Sequence, residues 1–290
     1  MGKKMILFNT RNTEYLARQL SFTRGACIIK NFSDGELYVK VDEDVAGKTV
    51  CVLTATQPPA DNILELFLLL DALKRKQAKI YLLFTYFGYA RQDRTQPGEA
   101  FSSCMISNFL KTYELEKIFI IHAHSERLHE MLDFENVTPT QPVCKIITDY
   151  NLSPVAPDKG ASSRVAHIAR TCGVEPIFVT KSRPAFEKVT VTHIDGDVTG
   201  KNILIIDDMI STGSTILQTA ALLKKNGAND IYAYATHGVF APGCREKIEA
   251  SPEIKKFYVT DSLPQSTTTK EGKITVINIA PFLTDTLNDL

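Results

Sequence analysis

Several features that would assign a role on their own are missing from this 290-residue chain. It has no net charge, since 33 basic residues balance 33 acidic ones, and so lacks the electrostatic footprint of a nucleic-acid binder. No apolar run can span a bilayer: the most apolar, residues 63–73, is interrupted by Glu65 and Asp71. The opening MGKKMILF has too short an apolar run for a signal peptide, and Ile6 stands where a myristoylation signal needs Ser or Thr. The six cysteines, at positions 27, 51, 104, 144, 172 and 244, form no CxxC pair. They suggest neither a disulfide framework nor a zinc site, and fit small core residues in a reducing, cytoplasmic compartment. Gly47-Lys48-Thr49 is not a Walker loop, because the glycine required five residues before Gly47 is Asp42. What remains is a globular composition, 44% apolar, with length enough for two domains.

What is present is organised around residues 201–215, KNILIIDDMISTGST. Residues 202–206 form a short run with β-branched character, as expected of a strand buried on both faces of a parallel sheet. Asp207 and Asp208 follow where that strand should end. Ser211, Thr212, Gly213, Ser214 and Thr215 then lead into residues 216–223, which have helical spacing and stop near Gly227. A helix N-terminus offers unpaired N–H groups and partial positive charge, and Gly213 lets the backbone close round an anion while the hydroxyls add donors. A phosphate fits there. The two carboxylates cannot favour the phosphate, so they need another partner, either the vicinal hydroxyls of a sugar or a Mg2+ ion. Phosphate plus diol means a sugar phosphate. A capped core helix flanked by surface acids would account for one Ser-Thr pair, but less well for paired Asp and a hydroxyl loop together.

This stretch resembles the phosphoribosyl-pyrophosphate motif shared by type I phosphoribosyltransferases and ribose-phosphate pyrophosphokinases, the phosphoribosyl-pyrophosphate synthases. The resemblance implies that the 211–215 loop holds the 5-phosphate of ribose and that Asp207 and Asp208 hold its hydroxyls. Other segments separate transferase from synthase. Asn31-Phe32-Ser33-Asp34-Gly35-Glu36 reads either as an Asp-Gly hairpin or as an aromatic face with two carboxylates suited to a purine. It resembles the FS(D/N)xE loop of the synthases, which implies adenine contacts for Phe32, Asp34 and Glu36. Arg91, Gln92 and Asp93, in YARQDR at 89–94, follow a strand at 81–87 and precede Pro97-Gly98. By themselves they read as a solvated loop or a phosphate clamp. They closely match the YARQD signature of the synthases, which the transferases lack.

His122 and His124, at i and i+2 after a strand, should share one side of an extended segment, with His129 close behind. They are too few for a closed zinc site. The family has Asp-x-His here, contacting Mg-ATP, so His124 matches and His122 departs, although Mg2+ prefers oxygen ligands. Asp158, in Pro157-Asp158-Lys159-Gly160, resembles the PDxG turn whose Asp supports a metal or the ribose, making His124 and Asp158 the metal candidates. Lys181 and Arg183 share one side of a strand at its end, where they are either a solvated edge or a cationic pair for moving polyphosphate charge. They match the lysine and arginine with which the synthases steady the transferred group, and 184–191 reads as an adjoining loop. Residues 257–265 resemble the family's VT-(N/D)-x-(I/L)-PQ segment.

Residues 47–88 are a weak copy of the central segment. Gly47-Lys48 aligns with Gly200-Lys201, residues 64–70 with 217–223, and Ile80-Tyr81 with Ile231-Tyr232. In the first copy Ala55, Thr56, Pro58 and Pro59 occupy the acid and hydroxyl positions, so only the second keeps the phosphate chemistry. A duplication implies two similar α/β domains, divided in the proline-containing stretch 137–142: residues 1–138 with the ATP loops and 139–290 with the ribose 5-phosphate loop. The resemblance covers nearly the whole chain. It implies phosphoribosyltransferase-like domains, each a mainly parallel sheet flanked by helices, with the active site at strand C-termini at the domain junction. It implies a ribose-phosphate diphosphokinase that transfers pyrophosphate from Mg-ATP to the 1-hydroxyl of ribose 5-phosphate, giving phosphoribosyl pyrophosphate and AMP. The cofactor is then Mg2+, the partners are ATP and ribose 5-phosphate rather than nucleic acid or membrane, and the assembly is a cytoplasmic homo-oligomer, dimer or hexamer. A phosphoribosyltransferase is one alternative, which leaves YARQD and FSDGE unexplained. A non-catalytic regulatory homologue is the other, and it should have lost several of Arg91, His124, Lys181 and Asp208, all of which are present.

Overall fold

The computed structural model describes residues 5–182, 191–265 and 272–288, so Arg183 and residues 184–190 of the loop expected at 184–191 lie outside the described residues, while Val191 already belongs to a strand. The chain divides into two compact units, one of residues 1–138, 262–264 and 279–290 and one of residues 139–261 and 265–278.

The first unit contains β1 (Ile6–Asn9), α1 (Glu14–Ala17), β2 (Thr23–Arg24), β3 (Cys27–Asn31), β4 (Leu37–Val41), β5 (Thr49–Ala55), α2 (Asp61–Arg75), β6 (Lys79–Tyr86), α3 (Ser102–Leu110), β7 (Leu115–Ile121) and β8 (Glu135–Val137). Six strands form one sheet in the order β2-β1-β5-β6-β7-β8, every pairing parallel. Alternation along a strand sends neighbouring side chains to opposite faces. Val50 and Val52 meet Leu66, Leu69 and Leu70 of α2, whereas Cys51 and Leu53 join Leu16 and Ala17 of α1 on the other face. Strands β3 and β4 form a separate antiparallel hairpin.

The second unit contains α4 (Thr140–Tyr150), β9 (Ser153–Ala156), α5 (Ser162–Cys172), β10 (Ile177–Ser182), β11 (Val191–Asp195), β12 (Ile203–Ile210), α6 (Ser214–Lys225), β13 (Ile231–Gly238), α7 (Cys244–Ala250), β14 (Ile254–Thr260) and β15 (Ile274–Ile277). Its seven strands run β11-β10-β9-β12-β13-β14-β15, parallel except for β10 with β11. Ile203 and Ile205 of β12 face Ile216, Ala220 and Leu223 of α6. Leu204 and Ile206 face Val143 and Ile147 of α4 and Val165 and Ile168 of α5. Both units are therefore mainly parallel sheets with helices on both faces. Among the described residues no helix is long and apolar enough to cross a membrane.

A last helix, α8 (Ala280–Asn288), counts with the first unit. That unit's α1 is only four residues long, too short to cover Leu7, Leu53, Leu83 and Phe119. Leu283 and Leu287 of α8 complete that cluster and are at most 2% exposed, each contributing about 2 kcal/mol by burial.

The cysteines depart from the sequence expectation. Cys144 of α4 and Cys172 of α5 form a disulfide with Cα atoms 5.5 Å apart, while Cys27, Cys51, Cys104 and Cys244 are free thiols. A separation of 28 residues hides the pairing in the sequence, and the packing of α4 against α5 over one sheet face creates it.

Candidate active site

The site in the second unit is set by strand order. From β9 the chain passes through α5 to β10 on one side, and β12 then lies on the other side of β9. A reversal of this kind leaves a crevice at the strand C-termini. The strand does not stop at the acids, as the sequence suggested. It continues through Met209 and Ile210, paired with His237 and Gly238 of β13. Its pairing with β9, however, ends at Ile205, so Asp207 and Asp208 stand at the lip where one neighbour has fallen away.

Asp207 and Asp208 meet a cation that the sequence reading missed. Arg164 Nη1 lies 3.6 Å from Asp207 Oδ1 and 3.5 Å from Asp208 Oδ1, with only 12% of its side chain exposed. Burial raises the Asp207 carboxyl well above the ordinary carboxylate range, the charge on Asp208 raises it further, Arg164 pulls it back, and Asp158 pushes it up again. Asp158 follows β9, and its Oδ1 accepts from Ala161 N at 3.1 Å, capping the short helical turn that leads into α5. Asp158, Asp207, Asp208 and Arg164 are thus in one electrostatic neighbourhood. The signal for Arg164 was faint: the buried stripe Ala161, Val165, Ile168, Ala169 places residue 164 on its flank, where a lone arginine reads as solvated.

The hydroxyl loop follows directly. Gly213 caps α6 with φ 78° and ψ −5°, the left-handed region that favours glycine. A Cβ added there would lie 3.2 Å from Cys244 Sγ. Thr212 and Ser214 are exposed, Thr212 Oγ1 is 3.1 Å from Ser214 Oγ, and Ser211 and Thr215 are half-buried. The loop is tied to the chain after β13, since Val239 N and Phe240 N donate to Ile210 O and Ala241 N donates to Ser211 O, each at 3.0 Å. Lys181 lies in β10 opposite Thr192 of β11.

The corresponding crevice of the first unit lies between β1 and β5, and uncharged groups bridge its two strand ends. Thr10 Oγ1 donates to Thr54 Oγ1 at 3.1 Å and Asn12 Nδ2 to Ala55 O at 2.5 Å. Hydroxyls and amides there satisfy one another, where the second unit presents acids.

The nucleotide candidates of the first unit lie on two segments. Phe32, Asp34 and Glu36 are all exposed on the β3–β4 turn. Phe32 N donates to Glu36 O at 2.8 Å, Glu36 N to Asp34 Oδ1 at 3.1 Å, and the Phe32 ring meets Tyr38 edge-on at 5.4 Å. The second segment begins at Gly88, where an added Cβ would lie 2.1 Å from Thr56 O and the backbone N donates to Thr56 Oγ1 at 2.8 Å. Arg91 and Gln92 are exposed and Asp93 half-buried. Ser103 Oγ of α3 donates to Gln92 O at 2.6 Å, and Ser125 Oγ donates to Asp93 Oδ2 at 2.6 Å. The last bond brings Asp93 beside the segment carrying His124.

His122 and His124 do not share one side of a strand. Strand β7 ends at Ile121, and His122 turns to φ 48°, which breaks the alternation; His122 is buried and His124 half-buried. His129 stacks on Phe134 with ring centroids 4.0 Å apart, a packing role that the sequence left open.

Comparisons with known proteins match the chain over nearly its whole length. A family model described as the N-terminal domain of ribose phosphate pyrophosphokinase matches residues 5–113, and one described as the phosphoribosyl synthetase-associated domain matches residues 148–290. The ribose-phosphate pyrophosphokinase of Ralstonia nicotianae is 33% identical over 288 residues, covering 96% of this chain and 91% of the relative. That of Chromobacterium violaceum is 34% identical, covering 98% and 90%. The crystal structure of phosphoribosylpyrophosphate synthetase from Mycobacterium smegmatis superposes with a TM-score of 0.86 at 29% identity, covering 99% of this chain and 98% of that one.

Proposed function

The chain belongs to the ribose-phosphate pyrophosphokinase family, and on that premise we propose how its residues divide the transfer of the β,γ-pyrophosphoryl group of ATP to the 1-hydroxyl of ribose 5-phosphate. The observation that carries the acceptor half is the pairing of Asp207 and Asp208 with Arg164 at the end of the strand that leads into the Gly213 loop. Asp207 and Asp208, with Arg164 beside both, accept from the ribose hydroxyls. Ser211, Thr212, Gly213, Ser214 and Thr215 hold the 5-phosphate at the start of α6, where N–H groups and the helix dipole favour an anion.

The donor half belongs to the first unit. Phe32 stacks on the adenine, Asp34 and Glu36 accept from its amino group, and Arg91, Gln92 and His124 hold the triphosphate. Asp93 fixes their loop through Ser125. In the reaction the 1-hydroxyl oxygen attacks Pβ and its proton passes to solvent. The bond from Pβ to the oxygen bridging it to Pα breaks, and AMP leaves. Lys181 and Arg183 are assigned to the charge that moves across the phosphate oxygens.

Among the described residues no group of three or more His, Cys, Asp or Glu is placed to hold a metal ion. A Mg2+ that arrives on the triphosphate would keep water and substrate oxygens as most of its ligands. His124 and Asp158 are the side chains assigned to it, and the ion would offset polyphosphate charge. The test is AMP release from ATP and Mg2+ with and without ribose 5-phosphate, for wild type and Lys181→Ala. Sugar-dependent AMP that the substitution suppresses is expected, and AMP that forms equally without the sugar contradicts the proposal.

A further inference from the structure

Glu65 lies on α2 beside Leu66, Leu69, Leu70 and Leu73 and is 2% exposed. Burying a carboxylate is costly unless it is paired and hydrogen-bonded. Glu65 accepts twice from Arg11, from its backbone N at 2.5 Å and its Nε at 2.6 Å. The same guanidinium reaches outward: Nη1 donates to Asn31 Oδ1 at 2.8 Å, and Asn31 Nδ2 donates to Gly35 O at 2.8 Å. A buried anion on a helix is thereby connected through two side chains to the turn that carries Phe32, Asp34 and Glu36.

An apolar side chain at position 65 would fill the same space without the desolvation cost, so core stability alone does not account for a carboxylate there. The turn's own bonds, from Phe32 N to Glu36 O and from Gly35 N to Phe32 O, fix its shape. The link through Arg11 fixes its place relative to α2 and the end of β1. Phe32 is 48% exposed, so its ring is held out from the surface rather than packed away. Arginine suits this link because its planar fork donates along more than one edge, whereas a lysine ammonium is a single point on a flexible stem.

We infer that Glu65, Arg11 and Asn31 are positioning residues that hold the 32–36 turn against the base of the donor nucleotide, an inference that rests on the assignment of that turn to adenine. The test is calorimetric titration of the full chain with Mg-ATP, Mg-GTP and Mg-tripolyphosphate, for wild type, Asn31→Ala and Arg11→Lys. Asn31 is exposed, and Arg11→Lys keeps a cation opposite Glu65, so neither variant removes a buried group. In both variants the Kd for ATP should rise about tenfold, the effect of one lost hydrogen bond to a charged or well-ordered partner, and the preference for ATP over GTP should fall. The Kd for tripolyphosphate, which lacks a base, should not move. Equal losses for ATP and tripolyphosphate would reduce the link to general scaffolding and overturn the inference, as would unchanged ATP affinity in both variants. A wild type that binds ATP no better than tripolyphosphate overturns the assignment of the turn, and the inference with it.

Discussion

Replacing Gly213 with alanine separates two constraints on the phosphate loop. The first is conformational: at φ 78° an L-residue costs about 1 kcal/mol relative to glycine. The second is steric. The new Cβ would stand 3.2 Å from Cys244 Sγ, whereas Leu217 Cδ1 at 3.7 Å and Ile210 Cδ1 at 3.8 Å are ordinary contacts. Displacing one buried sulfur by a few tenths of an ångström costs roughly another 1 kcal/mol. If the loop shifts to relieve both, the loss of about 2 kcal/mol falls on phosphate binding and raises the KM for ribose 5-phosphate about 30-fold. In a Cys244→Ala background the steric part disappears, and Gly213→Ala should then cost about 1 kcal/mol, or roughly fivefold in KM. Steady-state kinetics with varied sugar phosphate, alongside urea unfolding of the four proteins, gives the cycle. Identical penalties in both backgrounds would refute the crowding argument, and no penalty in either would refute the loop geometry.

Three further outcomes concern the cysteines and stability. The unfolded, unreduced chain should react with four equivalents of thiol reagent, since Cys144 and Cys172 are joined and the four other cysteines are free; six equivalents would contradict the pairing. Reduction should lower the stability of the second unit by about 3.5 kcal/mol, the loop-closure value for a 28-residue separation, read as a drop in the urea midpoint. Arg24, with Arg18 and Asn9 as further donors, holds the Glu14 carboxyl down to about 2 from 4.5, against the opposing effect of its partial burial. A depressed carboxylate contributes stability that is present above pH 4.5 and lost as the pH falls toward 2. The side chain is 33% exposed, so screening leaves about 1 kcal/mol. Glu14→Gln should be less stable than wild type by that amount at pH 7, and the gap should close between pH 4.5 and 2; a constant gap contradicts the pairing.

The alternation of strands and helices was legible because buried parallel strands write continuous apolar runs, such as 203–206, and their covering helices write leucines at helical spacing. The acid pair and hydroxyl loop were legible for a related reason: a motif at one strand end is contiguous in sequence. What the sequence hid was everything that contiguity does not encode. Arg164 reaches the acids from a different helix, and its spacing within α5 resembles a solvated edge. The Cys144–Cys172 bond joins helices that are neighbours only after the sheet forms. His122 was misread because period-two alternation assumes extended backbone, and its φ of 48° breaks that assumption at the strand end. Residues 279–290 read as part of the second half, since nothing in the sequence signals that Leu283 and Leu287 complete the core of the first unit.

The most direct measurement is a 31P NMR time course of the protein with ATP, Mg2+ and ribose 5-phosphate. The account predicts AMP and a ribose carrying a diphosphate at C1, formed in equal amounts at the expense of ATP. ADP with a ribose that has gained a single phosphate at C1, or free pyrophosphate with unchanged ribose 5-phosphate, would contradict it.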